Sequence, residues 1–213
     1  MIIQNYILLI MNCQKYRFKA QQQKTTWLKN IPDFLLYFHV IGDPNMEKSY
    51  NFDYNEKILW VKTEDDYNSL PKKVIASYQA ILETFDFKYI FKTDDDQKLI
   101  KADLFHILQG VLENKKPKVH YAGHIVDVHT PYLCKYNKIH PELPDNLPLY
   151  KTKYCNGRFY ILSREAVKDL SKKRNLIEKE YLEDYAIGYY LNDVFKENIM
   201  EIKNEKFFID FVV

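Results

Sequence analysis

Asp94-Asp95-Asp96 sets three carboxylates in a row directly after the strand-like segment Phe87-Lys-Tyr-Ile-Phe-Lys-Thr93. Three like charges side by side are costly unless a cation or solvent compensates them. A hard divalent ion with oxygen ligands is the natural partner, and Mg2+ or Mn2+ takes one or two carboxylates together with phosphate oxygens. Such an ion works as a Lewis acid and template on a diphosphate leaving group. Without a metal, the same triplet reads as a solvated acidic turn capping the next helix. A calcium loop is excluded, because Lys98 falls on the third ligand position and no glycine follows.

A triplet of this kind needs a strand to deliver it. Apolar runs at Tyr6–Met11, Phe34–Ile41, Ile58–Val61, Tyr89–Phe91, His120–Val126, Phe159–Leu162 and Phe207–Val213 predict strands. Helical spacing falls between them. Val74, Ile75, Tyr78, Ile81, Leu82 and Phe85 follow the start signals Ser69 and Pro71, and Leu104, Phe105, Leu108, Val111 and Leu112 repeat the pattern. Ala166, Val167 and Leu170 follow Ser163, and Ile187 and Leu191 follow the acidic pair Glu183-Asp184. Alternating strands and helices predict an α/β domain with a mostly parallel central sheet flanked by helices. The triplet then lies at a strand's C-terminal end, where open sheets of this class bind ligands. No repeat or Gly/Ser linker divides residues 1–213, which read as a single domain. Asp127–Lys153, with prolines 131, 141, 144 and 148, lacks periodicity and reads as a long functional loop.

Five segments, in order, carry a resemblance. Tyr89-Ile-Phe-Lys-Thr-Asp-Asp-Asp96 resembles the DxD strand of the β-1,3-galactosyltransferase and N-acetylglucosaminyltransferase group, glycosyltransferase family 31. Lys24-Thr-Thr-Trp27, after Arg17, resembles that family's basic-x-Thr-Trp signature, with Lys24 in place of arginine. Asp65-Asp-Tyr67-Asn-Ser-Leu70-Pro-Lys-Lys73 resembles its Asp-x-Tyr-x-Asn-Leu-x-x-Lys stretch. Tyr154-Cys-Asn-Gly157-Arg-Phe-Tyr-Ile-Leu-Ser163 resembles its Tyr-Cys-Ser-Gly-Gly-Gly-Tyr-Val-Leu-Ser segment, and Glu183-Asp184-Tyr-Ala-Ile-Gly188 its Glu-Asp-Val-x-x-Gly motif.

The resemblance, over roughly residues 17 to 191, implies a GT-A (Rossmann-like) fold and inverting transfer from a UDP-sugar to an acceptor hydroxyl. Carried over by position, Asp94 and Asp95 would lie near the donor's ribose and the metal. Asp96 would be the main metal ligand, with Asp94 beside it, and Asp184 matches the catalytic base. That role is physically sound: inversion needs one carboxylate to take the acceptor's proton while the metal steadies the departing diphosphate. A carboxylate at a helix start, held by backbone N–H groups, is expected to stay ionised; acids are also favoured there for ordinary helix stability. Lys24 and Lys73 are of a type to reach the diphosphate, to orient an acid, or to be surface charges. Asn156 and Gly157 would shape the wall of the sugar or acceptor site, where glycine admits close backbone approach. Trp27 reads as core.

The sequence departs from the family in Arg158 and Phe159, which stand where two glycines are usual, so acceptor specificity does not transfer. All six histidines lie at or before His140, so no late histidine is there to join the metal. Two other readings stand beside the transferase: a degenerate domain that binds nucleotide or glycan, and a Mg2+-dependent nucleotidyltransferase. The GxxxxGK[ST] loop of P-loop enzymes is absent.

With 31 basic and 29 acidic residues the chain lacks the charge excess of a nucleic-acid binder. Cys13, Cys134 and Cys155, an odd number without metal-site spacing, are expected as free thiols. The apolar start, Ile2 to Met11, is shorter than the roughly 20 residues that span a bilayer. A cytoplasmic enzyme, bacterial or in a viral host's cytoplasm, is expected, as a monomer or homodimer.

Overall fold

Tyr6–Met11 (β1) is an unbroken apolar run, Tyr-Ile-Leu-Leu-Ile-Met, and each of its six residues is buried, as in a strand covered on both faces. Ile7, Leu9 and Met11 enter one core with Val74, Ile75 and Ile81. Tyr6, Leu8 and Ile10 enter the other with Phe91, Phe105 and Leu108. The computed structural model describes residues 1–211. Its further main strands are β2 Leu35–Gly42, β3 Tyr50–Asp53, β4 Ile58–Val61, β5 Tyr89–Asp94, β6 Tyr121–Val128, β7 Thr152–Ser163 and β8 Met200–Glu201. They form an eight-stranded sheet in the order β8-β6-β7-β5-β1-β2-β4-β3. The expected parallel arrangement holds at its centre, β5-β1-β2-β4, while β3 and β7 run antiparallel to their neighbours, so the sheet is mixed.

The helices are α1 Arg17–Thr25, α2 Leu70–Thr84, α3 Leu104–Asn114, α4 Arg164–Lys172, α5 Arg174–Ile177 and α6 Glu183–Tyr190. Ser163 caps α4 as expected, accepting from the Ala166 N–H at 3.3 Å. Ser69 holds the N-cap position of α2, but its side chain makes no cap bond; Asp66 instead accepts from the Ser69 N–H at 2.7 Å. The C-terminal strand is short, Phe208–Asp210, and pairs antiparallel with Gln97–Leu99 directly behind the triplet. Val212 and Val213 lie outside the described residues. Strand β7 begins at Thr152, earlier than its apolar run, because its first half is polar and joins β6 across a register shift between Cys155 and Tyr160. Among the described residues no helix is long and apolar enough to cross a membrane.

Helix α6 lies almost on the backbone of β7. A Cβ added at Gly188 would sit 2.2 Å from the Tyr154 Cβ, 2.6 Å from its Cα and 2.9 Å from the Lys153 carbonyl oxygen. None of these atoms can swing aside, so Gly188→Ala is expected to destabilise the domain by about 1–3 kcal/mol through overpacking. A urea midpoint equal to wild type would contradict this.

Candidate active site

Strand β1 has parallel neighbours on both sides, β2 and β5. The chain thus reverses its direction of travel across the sheet here, and the crevice beyond the strands' C-terminal ends is the expected ligand position. Met11, the last residue of β1, pairs with Asp94, and the Asp95 N–H donates to the Met11 carbonyl at 3.0 Å. The triplet therefore lies at the switch point.

Its three carboxylates have different partners. Asp94 Oδ1 is 2.7 Å from Lys92 Nζ, and Asp95 Oδ1 is 3.4 Å from Lys19 Nζ. Asp96 Oδ1 accepts from the Gln97 side-chain amide at 2.8 Å. Burial pushes the Asp94 carboxyl up to about 7; Lys92 opposes this, and Glu183 and Asp96 reinforce it. Burial likewise lifts Asp95 to about 6 against the pull of Lys19. Part of the cation demand inferred for the triplet is thus met by lysines.

Lys92 is the residue that sequence reasoning missed. Its side chain is 1% exposed, and its ammonium meets Asp94, the Glu183 Oε2 at 3.0 Å and the Gly157 carbonyl at 2.8 Å. Those three partners use its three N–H donors. Burial alone would push the ammonium down, but the Asp94 and Glu183 carboxylates outweigh it and hold the pKa up. Glu183, itself 3% exposed, also accepts from the Tyr160 hydroxyl, which lies 2.7 Å from the Tyr78 hydroxyl. A buried polar chain therefore runs from α2 through β7 and the start of α6 to the triplet strand. The available signal was spacing: two residues apart on one strand, Lys92 and Asp94 share a face.

Asp184 stands next to this chain. Its Oδ2 accepts from the Gly157 N–H at 2.9 Å and its Oδ1 from the Tyr185 N–H at 2.8 Å. The expected backbone support is present, yet the carboxyl rises to about 6. Burial is the largest cause and Glu183 adds to it, while Lys92 and the two N–H groups oppose it. Gly157 thus touches both charged centres, with its carbonyl on Lys92 and its N–H on Asp184. A Cβ there would meet Lys92 Nζ at 3.4 Å and Asp184 Oδ2 at 3.5 Å, so the glycine keeps the wall thin rather than relieving strain.

The remaining candidate residues divide. Lys73 is buried; it donates to the Asn12 carbonyl at 2.8 Å and pairs with Asp65 at 2.5 Å. Asp65 also accepts from the Gly42 and Gln14 N–H groups, so Lys73 orients an acid that ties together the ends of β1 and β2. Lys24 is not brought to the triplet: its Nζ is held by the Glu56 carbonyl and carboxylate. Helix α1 sends Lys19 to Asp95 instead. Asn156 accepts from the Arg158 N–H at 3.0 Å and so shapes the turn beside Gly157. Trp27 is core, donating from its ring N–H to the Gln97 carbonyl at 3.2 Å.

The segment 127–153 reaches the site from the other side. Its His140 stacks on Tyr67 with ring centroids 4.2 Å apart, and the Asn68 amide donates to the Glu142 carbonyl. The Tyr67 phenol is pushed up by burial and then by the nearby Asp184 carboxylate. A cavity of about 810 Å3 lies elsewhere, at the β3 edge beside Tyr50, Phe52 and Arg174, and includes none of these residues.

Among the described residues no group of three or more His, Cys, Asp or Glu side chains is arranged to hold a metal. Mg2+ and Mn2+ sites that rely on substrate phosphates and water need only one or two carboxylates. Asp96 makes no ion pair with a lysine among the described residues, whereas Asp94 is paired with Lys92, so Asp96 is the carboxylate of the triplet open to such an ion.

Two solved glycosyltransferase structures share this fold. GlyE of Streptococcus pneumoniae TIGR4 aligns with a TM-score of 0.50 at 11% identity, covering 96% of this chain and 46% of that one. The glycosyltransferase involved in glycosylation of the PBCV-1 major capsid aligns with a TM-score of 0.50 at 10% identity, covering 93% and 82%. In sequence, 136 residues are 27% identical to UDP-GalNAc:beta-1,3-N-acetylgalactosaminyltransferase 1 of Homo sapiens, 63% of this chain and 40% of that protein. The human enzyme numbered 2 in that series is 26% identical over 137 residues, 64% of this chain and 26% of that protein. The chain thus spans less than half the length of these curated relatives. Residues 22–200 match the family model described as Galactosyltransferase, and the chain belongs to that family.

Proposed function

We propose that this chain is an inverting, metal-dependent hexosyltransferase that moves a hexose or N-acetylhexosamine from a UDP-sugar to a glycan hydroxyl. The observation that carries the reading is the pairing of two acidic centres across Gly157: the triplet at the switch point, and Asp184 with its carboxyl near 6. The β-1,3 linkage and the UDP-GalNAc donor in the relatives' names are consistent with it.

In this reading Asp94 and Asp95 face the donor's ribose and Asp96 holds Mn2+ or Mg2+. The ion would supply charge neutralisation for the departing diphosphate. Asp184 accepts the proton of the attacking hydroxyl, with its two backbone donors fixing the carboxylate's direction. Lys92 keeps the triplet strand and the start of α6 in one relative position. The pairing of Asp94 and Asp95 with lysines also favours a second reading, a domain that binds the nucleotide without turnover.

Calorimetric titration with UDP separates the possibilities, using Mn2+, then excess chelator, with ATP as control. Binding that requires Mn2+ and excludes ATP is expected, and Mn2+-dependent release of UDP from a UDP-sugar would remove the second reading. Failure to bind UDP under any metal condition would overturn the donor assignment.

A further inference from the structure

The positions at which this chain leaves the family pattern, Arg158 and Phe159, both contact the C-terminal segment. Phe159 packs on Phe208 with ring centroids 5.0 Å apart, and Phe208 is 1% exposed. Arg158 Nη2 donates to Asp210 Oδ1 at 2.7 Å. Between these anchors, Phe208–Asp210 pairs with Gln97–Leu99, and the Phe211 N–H donates to the Asp96 carbonyl at 2.6 Å.

The Gln97 amide sits at the centre of this contact. Its Nε2 donates to Asp96 Oδ1 at 2.8 Å and to Asp210 Oδ1 at 2.9 Å, which uses both hydrogens. Its Oε1 is buried without a partner. Turning the amide over would aim that oxygen at two carboxylates, so the acids themselves fix its orientation. Two acids around one neutral amide repel each other, and Arg158 is the cation that compensates Asp210.

We propose that Arg158 and Asp210 act as a clamp that positions the Asp96 carboxylate through Gln97. They are positioning residues, since neither touches the reacting atoms. The proposal rests on the donor-site reading given above. It assigns the two non-family residues a role: Phe159 seats the strap and Arg158 completes the polar end.

The test is UDP titration of the full chain in Mn2+ and in chelator. Both variants alter a partly exposed ion pair and leave Phe208 in place, so folding is preserved, which a thermal melt verifies. Arg158→Ala should weaken Mn2+-dependent UDP binding about threefold, as loss of a partly exposed pair. Asp210→Ala, which also frees the amide, should weaken it about tenfold. Residual UDP affinity in chelator should not change, a split that general loosening would not give. Wild-type affinity in Asp210→Ala, or equal losses with and without metal, would each overturn the clamp. Failure of the wild-type chain to bind UDP in Mn2+ would instead overturn the donor reading, and the clamp's role with it.

Discussion

Asp184→Asn is expected to remove sugar transfer while leaving Mn2+-dependent UDP binding near wild type. The amide keeps the size of the side chain and one oxygen, enough for one of the Gly157 and Tyr185 N–H groups, but cannot accept the acceptor's proton. A positioned general base contributes about 10²–10⁴ in rate, so transfer should fall by at least about a hundredfold. The same residue predicts the pH profile. Its carboxyl is raised to about 6, chiefly by burial, and only the ionised form is a base. Transfer should therefore rise with pH through about 6 and fall about tenfold per unit below it. A variant that transfers at the wild-type rate, or a wild-type profile flat between pH 5 and 7, would show that another group takes the proton.

Lys92→Met should have the largest effect on stability. The ammonium is 1% exposed and is shared by Asp94 and Glu183. Removing it leaves the Glu183 carboxylate buried opposite Asp94 without a cation. Breaking a buried ion pair from one side costs about 3–5 kcal/mol, which urea denaturation would read as a lowered midpoint. Adding Glu183→Gln should recover part of that loss, because the stranded charge is then removed as well. A double variant no more stable than Lys92→Met would show that packing, and not charge, accounts for the loss.

Much of the frame was legible because its signals are local. An unbroken apolar run marked β1, and three-and-four spacing marked α2 and α3. Ser163 announced the start of α4. The triplet's place at a strand end followed from the same patterns. The first half of β7 was not legible, since Thr152, Lys153, Asn156 and Arg158 carry no apolar alternation and its pairing with β6 depends on a register shift. The edge strand Tyr50–Asp53 escaped for a similar reason. Site electrostatics depend on burial and on partners far along the chain. Lys24 looked available, but its partner Glu56 is 32 residues away. Lys92 was passed over because its partner Glu183, at the start of α6, is 91 residues on. Asp184 was correctly expected to be held by backbone N–H groups, yet nothing local reported how much water it loses.

The way the segment 127–153 attaches to the site bears on how such a protein diversifies. It meets the site through a ring stack, Tyr67 on His140, through the Asn68 amide on the Glu142 carbonyl, and through Tyr185, on which Cys134 and Leu149 pack and whose hydroxyl accepts from the Tyr150 N–H. None of these contacts is a bond to the Asp94, Glu183 or Asp184 carboxylate. In the transferase reading, substitutions at the segment's exposed positions leave the Asp184 carboxylate and its two N–H partners in place, which makes those positions the place for a directed-evolution library to change which acceptor is chosen.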